Sequence, residues 1–478
     1  MGGIVAKTAV ILLLALLVGM GLYHRYKPLP ADLSYRGPER VLVDPYLLSD
    51  VTYRDAEGQD RYQQTIFDEV FRLIGQAQRL VVVDMFLYNG TGVASGHRSL
   101  AETLTGTLIA RKQAVPGIAM VVITDPFNTL YGGARSPYLE RLERGGVTVV
   151  ETPLNRLRDS NPLWSAPWRL CCQWLGNSTH AGWLPNPFGG EKIPLRSLLA
   201  LLNFKANHRK TLVVDEGEHL RGLVTSANPH DGSSRHHNTA LSFAGPAAGD
   251  LLHSELAVVA MAGGKIDPLL LNIKSDKPAD SATRGQIVTE SQIRRAALDM
   301  IDGAEPGSAL DLSMFYFSHR ELVRAFIDAH RRGVEVRVLL DANHDAFGRE
   351  KNGIPNRQVA WDLHRAGIPV RWCNTHGEQC HSKLLMRRDR DGGWQLLLGS
   401  ANFTRRNLDD LNLETDIRAW SARPTALSRQ VKDLFEHYWR GDIDGWRPLS
   451  LPYSAWSDES WLRYGLYRIM ESTGMSTF

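Results

Sequence analysis

Two distant stretches of this 478-residue chain carry the same four reactive side-chain types in the same order. The first reads His208-Arg-Lys210-Thr-Leu-Val-Val-Asp215 and is followed by Thr225-Ser226-Ala-Asn228. The second reads His381-Ser-Lys383-Leu-Leu-Met-Arg-Arg-Asp389 and is followed by Gly399-Ser400-Ala-Asn402. In an extended strand, residues two apart share a face, so His and Lys emerge together, as do Ser and Asn. Asp215-Glu-Gly217 and Arg390-Asp391-Gly392-Gly393 supply turns, so each copy reads as a hairpin. This set suits displacement at a phosphodiester. One neutral imidazole can attack phosphorus, and a second can protonate the leaving oxygen and later activate an acceptor hydroxyl. Ammonium and amide groups can hold the non-bridging oxygens as charge redistributes. Each copy supplies a single imidazole, so the chemistry needs both copies.

The pattern resembles the phospholipase D superfamily, whose signature is HxKxxxxD followed by GSxN. The first copy keeps the HxKxxxxD spacing, with Thr225 in place of the usual Gly. The second has Arg388 at the Asp position and Asp389 one residue late. Asp215 to Ser226 and Asp389 to Ser400 are equal steps, so the extra residue is expected between Lys383 and Asp389, absorbed by a β-bulge. The resemblance implies catalytic roles for His208, Lys210, Asp215, His381, Lys383, Asp389 and Glu414. It implies phosphate binding by Ser226, Asn228, Ser400 and Asn402. It also implies that Glu414, in Asn412-Leu-Glu414, orients His381. Asn238-Thr-Ala240 has Ala at the matching place, so His208 is expected to use a different partner. His208 is taken as nucleophile and His381 as acid–base, and a phosphoenzyme on His381 would reverse them. No cofactor and no metal is expected. Cys373, His376, Cys380 and His381 could be read as a zinc set, but a metal would consume an imidazole that the chemistry needs.

Positioning two such hairpins takes a duplicated α/β frame, and the chain is long enough for two cores. Ile66–Ala77 has helical spacing and precedes the buried strand Leu80–Leu87; Ile293–Ile301 precedes Ala309–Tyr316 in the same way. A helix and the strand Ile118–Thr124 match the helix Leu322–Arg332 and the strand Val334–Leu340. A further helix–strand step follows in each half, over Tyr138–Val150 and Val359–Arg371. Strands alternating with helices predict largely parallel or mixed sheets covered on both faces. The expected fold is α/β: two tandem phospholipase D-like sandwich halves packed face to face around one site. The expected division is an N-terminal anchor or signal segment (1–30), a first half (40–262) with a tryptophan-rich insertion (155–204), and a linker (263–282). A second half (283–442) and an aromatic C-terminal extension (443–478) complete it.

Thr8–Tyr23 is an uncharged apolar run after Lys7, about 24 Å long as a helix. No small-residue cleavage site precedes His24, which favours an uncleaved single-pass anchor over a signal peptide. Lys7 and the bracketing Cys373 and Cys380 place the catalytic body on the periplasmic or other non-cytoplasmic side. Trp164, Trp168, Trp174 and Trp183 in the insertion, and Trp456, Trp461, Tyr464 and Tyr467 near the end, suit either a membrane boundary or an elaborated core. The net charge of +3, from 55 basic and 52 acidic residues, lacks the basic footprint of a nucleic-acid enzyme. The expected partners are a phospholipid substrate and a membrane, without nucleic acid; the oligomeric state stays open. The expected activity is phospholipase D or cardiolipin-synthase-type phosphatidyl transfer through a phosphohistidine. The alternatives are a nucleic-acid phosphodiesterase, for which Arg387, Arg388, Arg390, Arg405 and Arg406 speak, and a non-catalytic membrane scaffold with a relict site.

Overall fold

The computed structural model describes residues 2–94, 96–180, 182–264, 281–346, 349–440, 447–476 and 478. Helix α1 (Gly2–Tyr26) contains the whole apolar run and extends beyond it at both ends. Its 25 residues reach about 37 Å at the α-helical rise, and an 18-residue stretch within it has a mean hydropathy of 2.4, so it is long and apolar enough to cross a membrane.

The short strand β1 (Arg40–Val41) precedes a long hairpin, β2 (Val43–Arg54) and β3 (Asp60–Gln64). There follow α2 (Ile66–Gln76), β4 (Leu80–Met85), α3 (Leu100–Ala114), β5 (Ala119–Thr124), α4 (Pro137–Arg144) and β6 (Thr148–Glu151). The insertion contributes α5 (Pro162–Cys171) and α6 (Leu195–Leu201). The hairpin β7 (Lys210–Glu216) and β8 (His219–Thr225), then β9 (Asn238–Ala244) and α7 (Pro246–Met261), complete this half. Its sheet has the order β3-β2-β9-β8-β7-β4-β5-β6, with β4, β5 and β6 parallel and the rest antiparallel.

The second half repeats the plan. It runs β10 (Arg284–Thr289), α8 (Ser291–Asp302), β11 (Ala309–Met314), α9 (Arg320–Arg331) and β12 (Glu335–Leu340). A two-residue ladder, β13 (Asp345–Ala346) with β14 (Arg349–Glu350), precedes α10 (Asn356–Arg365) and β15 (Val370–Cys373). The hairpin β16 (Lys383–Arg388) and β17 (Trp394–Gly399) leads to α11 (Arg405–Leu408), β18 (Thr415–Ser421) and α12 (Ala426–Arg440). A short strand β19 (Ser450–Pro452) and helix α13 (Trp461–Thr473) end the chain's regular structure. The sheet order is β1-β10-β18-β17-β16-β11-β12-β15-β19. Strand β1 thus joins the sheet of the second half although it precedes the first half in sequence. Most of the stretch read as the linker, residues 265–280, lies outside the described residues.

The packing follows from the pattern of side chains. All six residues of β4 and all six of β11 are buried, as strands covered on both faces require. Ile66, Phe67, Val70, Leu73 and Ile74 form the buried stripe of α2 and pack with Val81 and Val83 of β4. The opposite side chain of that strand, Val82, belongs to a second core with Val213 and Leu241 of the first sheet and Leu384, Leu396 and Ile417 of the second. The two sheets therefore share one apolar layer, and the halves pack face to face. This layer holds the ends of β7 and β16, where His208 and His381 sit, beside each other.

Candidate active site

Each His–Lys hairpin begins at a residue anchored by a strand-end carboxylate. Asp125, after β5, accepts from the backbone N–H of Asn207 at 2.7 Å; Asp341, after β12, accepts from the N–H of Cys380 at 2.8 Å. The next residues are His208 and His381. The sequence reading missed both aspartates, although each follows the same strand of the repeat. Asn207 is further fixed by its amide, which donates to Asp84 at 2.9 and 3.0 Å.

Parallel backbone bridges then join the halves. His208 N–H donates to Leu413 O at 2.9 Å, and His381 N–H donates to His237 O at 2.8 Å. This crossover carries each imidazole to a partner from the other half. His208 Nδ1 faces the Glu414 carboxylate at 2.9 and 3.0 Å. His381 Nδ1 faces Asn238 Oδ1 at 3.0 Å. The expected pairing of Glu414 with His381 is thus corrected: Glu414 serves His208. Because Asn238 Nδ2 donates to His236 O at 3.1 Å, its oxygen is the atom turned to His381. Both acceptors draw the ring proton to Nδ1 and leave Nε2 as the lone-pair nitrogen.

The matching position in the first copy is Asn238, not Ala240. Ser226 N–H donates to Thr239 O and Ser400 N–H to Thr415 O, so Asn238 and Glu414 stand in register. Ala240 instead matches Asp416, since Thr225 pairs with Ala240 where Gly399 pairs with Asp416. These exchanges compensate one another. A Cβ on Gly399 would lie 2.3 Å from the Asp416 carboxylate, whereas Ala240 leaves room for Thr225. The Thr225 hydroxyl accepts from Ala227 N–H at 3.0 Å, and Asp416 accepts from Ala401 N–H at 3.1 Å. One hydroxyl replaces one carboxylate in holding the same turn.

Ser226 and Ser400 orient the imidazole partners. Ser226 Oγ donates to Asn238 Oδ1 at 3.0 Å, and Ser400 Oγ donates to Glu414 at 2.5 Å. Asn407 also donates to Glu414. Asn228 and Asn402 use their oxygens on backbone N–H groups of Leu87 and Tyr316, at 3.2 and 3.3 Å, so their Nδ2 groups are the ends able to donate to a phosphate. Lys210 and Lys383 each donate to the carbonyl of their own histidine at 2.7 Å and stand over Phe86 and Phe315, 5.3 and 5.1 Å from the ring centres.

Asp215 and Asp389 lie away from this centre, at the far ends of the hairpins. Asp215 accepts from the backbone N–H groups of Gln78, Arg79 and Leu80, fixing the entry to β4. Asp389 accepts from Ser308, just before β11, and from Arg387. Both carboxylates tie a hairpin to the neighbouring strand, which corrects the catalytic role expected for them. No bulge interrupts β16: Lys383 pairs with Met314 and Arg388 with Ala309 without a register shift. The extra residue sits in the turn, where Asp389 N–H donates to Gly393 O. Arg388, at the register of Asp215, pairs with Asp311. The arginine cluster is thereby divided, with Arg387 and Arg388 paired to acids at one end and Arg405 and Arg406 elsewhere, beside α13.

Burial sets the electrostatics. It holds both imidazoles well below their ordinary value, helped at His208 by Lys210 and then Lys383, and at His381 by Lys383, His236 and Lys210. The crossed backbone bridges bring the two hairpins to one site, so each histidine also feels the lysine of the opposite copy. Burial pushes Lys210 down to about 7 and Lys383 well below its ordinary range. Burial also raises Glu414 to about 8 against the pull of Lys210. A phosphate bound beside these lysines would favour their charged forms. Among the described residues no group of three or more His, Cys, Asp and Glu side chains is placed to hold a metal ion. Cys373 and Cys380 are joined to each other, closing the loop that leads to His381.

Between His208 and Lys210, Arg209 points the other way. It is fully buried, donates to Glu290 at 2.8 Å and to Ser254 O at 2.8 Å, and lies 3.5 Å from Glu255. Glu290 in turn accepts from the backbone N–H of Glu414 at 3.1 Å. One guanidinium thus ties the first His–Lys strand to the segment carrying the partner of His208.

Residues 297–439 match the family model described as cardiolipin synthase, PLD-like domain. No curated protein matches the chain. Among solved structures, phosphatidylserine synthase of Haemophilus influenzae Rd KW20 superposes with a TM-score of 0.55 at 11% identity, over 91% of this chain and 94% of that one. Polyphosphate kinase of Porphyromonas gingivalis aligns at 15% identity and a TM-score of 0.46, over 90% of this chain but only 53% of the kinase, so the chain spans about half of that protein. Nuc of Salmonella typhimurium, a phospholipase D family member, aligns at 20% identity and a TM-score of 0.28, over 35% of this chain and 97% of its own.

Proposed function

We propose that this chain, whose residues 297–439 match a PLD-like domain, transfers or hydrolyses the phosphatidyl group of a phospholipid through a covalent phosphohistidine, while held at a membrane by α1. The observation that carries the reading is the crossed pair of imidazoles. Each has Nδ1 held by a side chain of the other half, with two buried lysines beside them.

The unequal partners divide the roles. A phosphorylated imidazole keeps a positive ring for as long as the intermediate lasts, and the Glu414 carboxylate supplies a lasting countercharge to His208. His381 has only the neutral Asn238, so its imidazolium is the stronger acid and gives its proton up readily to a leaving alkoxide. In the forward step, His208 Nε2 forms the bond to phosphorus as the bond to the leaving oxygen breaks, and His381 protonates that oxygen. In the return step, neutral His381 takes the proton of the acceptor hydroxyl, which attacks phosphorus and releases His208. The lysines and the Nδ2 groups of Asn228 and Asn402 hold the non-bridging oxygens.

The relict-site alternative is disfavoured by the intact geometry of both His–Lys pairs. The nucleic-acid alternative loses its main support with the arginine cluster divided. Incubating the purified full-length chain with phosphatidylglycerol vesicles and resolving the lipids by mass spectrometry tests the proposal. Cardiolipin signals transfer to a second phosphatidylglycerol, and phosphatidic acid signals hydrolysis. Unchanged lipid, with phosphatidylethanolamine and phosphatidylserine vesicles equally unchanged, overturns it.

A further inference from the structure

Helix α13 has its apolar residues on the wrong side for a helix that faces water. Its inward positions are taken by Tyr464, whose hydroxyl donates to Asp362 at 3.0 Å, and Tyr467, whose hydroxyl donates to Ser318 O at 2.9 Å. Its outward positions carry Leu462, Leu466 and Ile469 at helical spacing, with Leu462 88% and Ile469 61% exposed. The outer face of a surface helix is ordinarily polar. An outward Leu/Ile row flanked by arginines, here Arg463 and Arg468, is the composition of a helix lying at the boundary of headgroups and acyl chains.

The position of α13 says what covers that row. Gly474, just beyond the helix, lies so close to the carbonyl of Ser160 that a side chain there would collide with it. The next residue back, Asp159, donates its N–H to His24 O at the end of α1 at 3.0 Å. Helix α5 packs on the same end of α1, where Gly21 meets Pro162 and Ala166. The exit of α1, the start of the insertion and the end of α13 therefore share one joint. Arg405 and Arg406 line a cleft at that joint, with Ser160 and Glu471. The insertion adds Trp174 and Trp183, 75% and 63% exposed, and indoles favour the membrane boundary. Resting on the reading of α1 as a membrane anchor, we propose that the outer face of α13 and the tryptophans of the insertion lie in the surface of the same bilayer. They form the rim over which a lipid passes to the catalytic cleft.

An aromatic path connects this rim to the imidazoles. Phe188 of the insertion meets Phe127 edge to face at 4.9 Å, Phe127 meets Phe86 at 6.1 Å, and Phe86 meets His208 at 4.9 Å between ring centres. A wall of this kind gives acyl chains an apolar route while the phosphate reaches the lysines. The partner is therefore a bilayer containing anionic lipid, and not merely water around a tethered enzyme.

The test uses the full-length chain in vesicles of phosphatidylcholine and phosphatidylglycerol. Nitroxides are attached to Leu462→Cys, Ile469→Cys and, on the exposed face of α9, Asp328→Cys. Membrane immersion predicts that the first two are reached by oxygen in preference to a water-soluble nickel chelate, and that Asp328→Cys shows the reverse. Equal access of the chelate to all three overturns the proposal. So does spin–spin broadening at Leu462→Cys that vanishes on dilution with unlabelled protein, which would show a second copy on the row. Paired with this, Leu462→Asp with Ile469→Asp should turn over vesicle phosphatidylglycerol roughly tenfold more slowly while leaving a short-chain soluble analogue unaffected. Equal loss on both substrates would mean misfolding and equal retention would sink the rim. Wild type inactive on both would defeat the proposed function but leave the immersion result standing.

Discussion

His208 Nδ1 lies 2.9 Å from the carboxylate of Glu414, although the two residues come from opposite halves of the chain. The same carboxylate is held by Ser400 and Asn407, so its geometry is set before any substrate arrives. Its counterpart in the other half is an amide, Asn238. Two-fold geometry is kept while two-fold chemistry is broken, and the pH behaviour should show it.

Burial raises Glu414 to about 8 and holds His208 well below its ordinary value. As pH falls, the pair gains its proton on the carboxylate side, and a neutral Glu414 no longer balances a positive ring. The value of kcat/KM on a short-chain phosphatidylglycerol should therefore decline as pH is lowered through about 8. Glu414→Gln should remove that limb and lower the plateau by roughly 10²–10³-fold. An unchanged limb in the variant would contradict the assignment.

Phosphate binding should take up protons. Lys210 is pushed down to about 7 by burial, and an anion beside it restores the charged form. Above that value the site must draw a proton from solution, so the Kd for phosphate or vanadate should rise by up to about tenfold per pH unit. Calorimetry in buffers of different ionisation enthalpy reads the uptake directly. Lys210→Met should weaken binding and flatten the slope. A Kd independent of pH in the wild type would show that the buried lysines do not meet the anion.

Much of this site was legible in the sequence because a strand's two-residue period turns spacing into geometry. His–Lys spacing put both pairs on one face, and the order of helices and strands followed the helical and buried-strand patterns. The crossover was not legible. It depends on the backbone bridges of Asn207 with Leu413 and His237 with Cys380, which no local period records. Matching Ala240 with Glu414 slipped by two residues, because only the register of β9 and β18 shows that Thr225 with Ala240 replaces Gly399 with Asp416. The extra residue before Asp389 could be counted but not located, since a turn and a bulge absorb it equally. Two-residue β1 has no pattern at all, and its place in the second sheet follows from tertiary pairing alone.

Arg209 should matter for folding more than for chemistry. It is fully buried between Glu290 and Glu255. Arg209→Met leaves those carboxylates without their cation, which costs about 3–5 kcal/mol for a buried pair broken on one side. Urea denaturation should show a lower midpoint, and Arg209→Lys should recover part of the loss. An unchanged midpoint for Arg209→Met would mean that the guanidinium does not tie the halves together.

Turnover is expected to pass through a covalent intermediate on His208, formed with the help of His381. The direct measurement is rapid quenching of the full-length protein with short-chain phosphatidylglycerol under conditions that preserve phosphoramidates, followed by peptide mass spectrometry. A phosphatidyl adduct is expected on the peptide containing His208. The adduct should be absent in His208→Ala and should accumulate in His381→Ala when a good leaving group removes the need for the acid. An adduct on His381 instead, or turnover at the wild-type rate in either single variant, would contradict it.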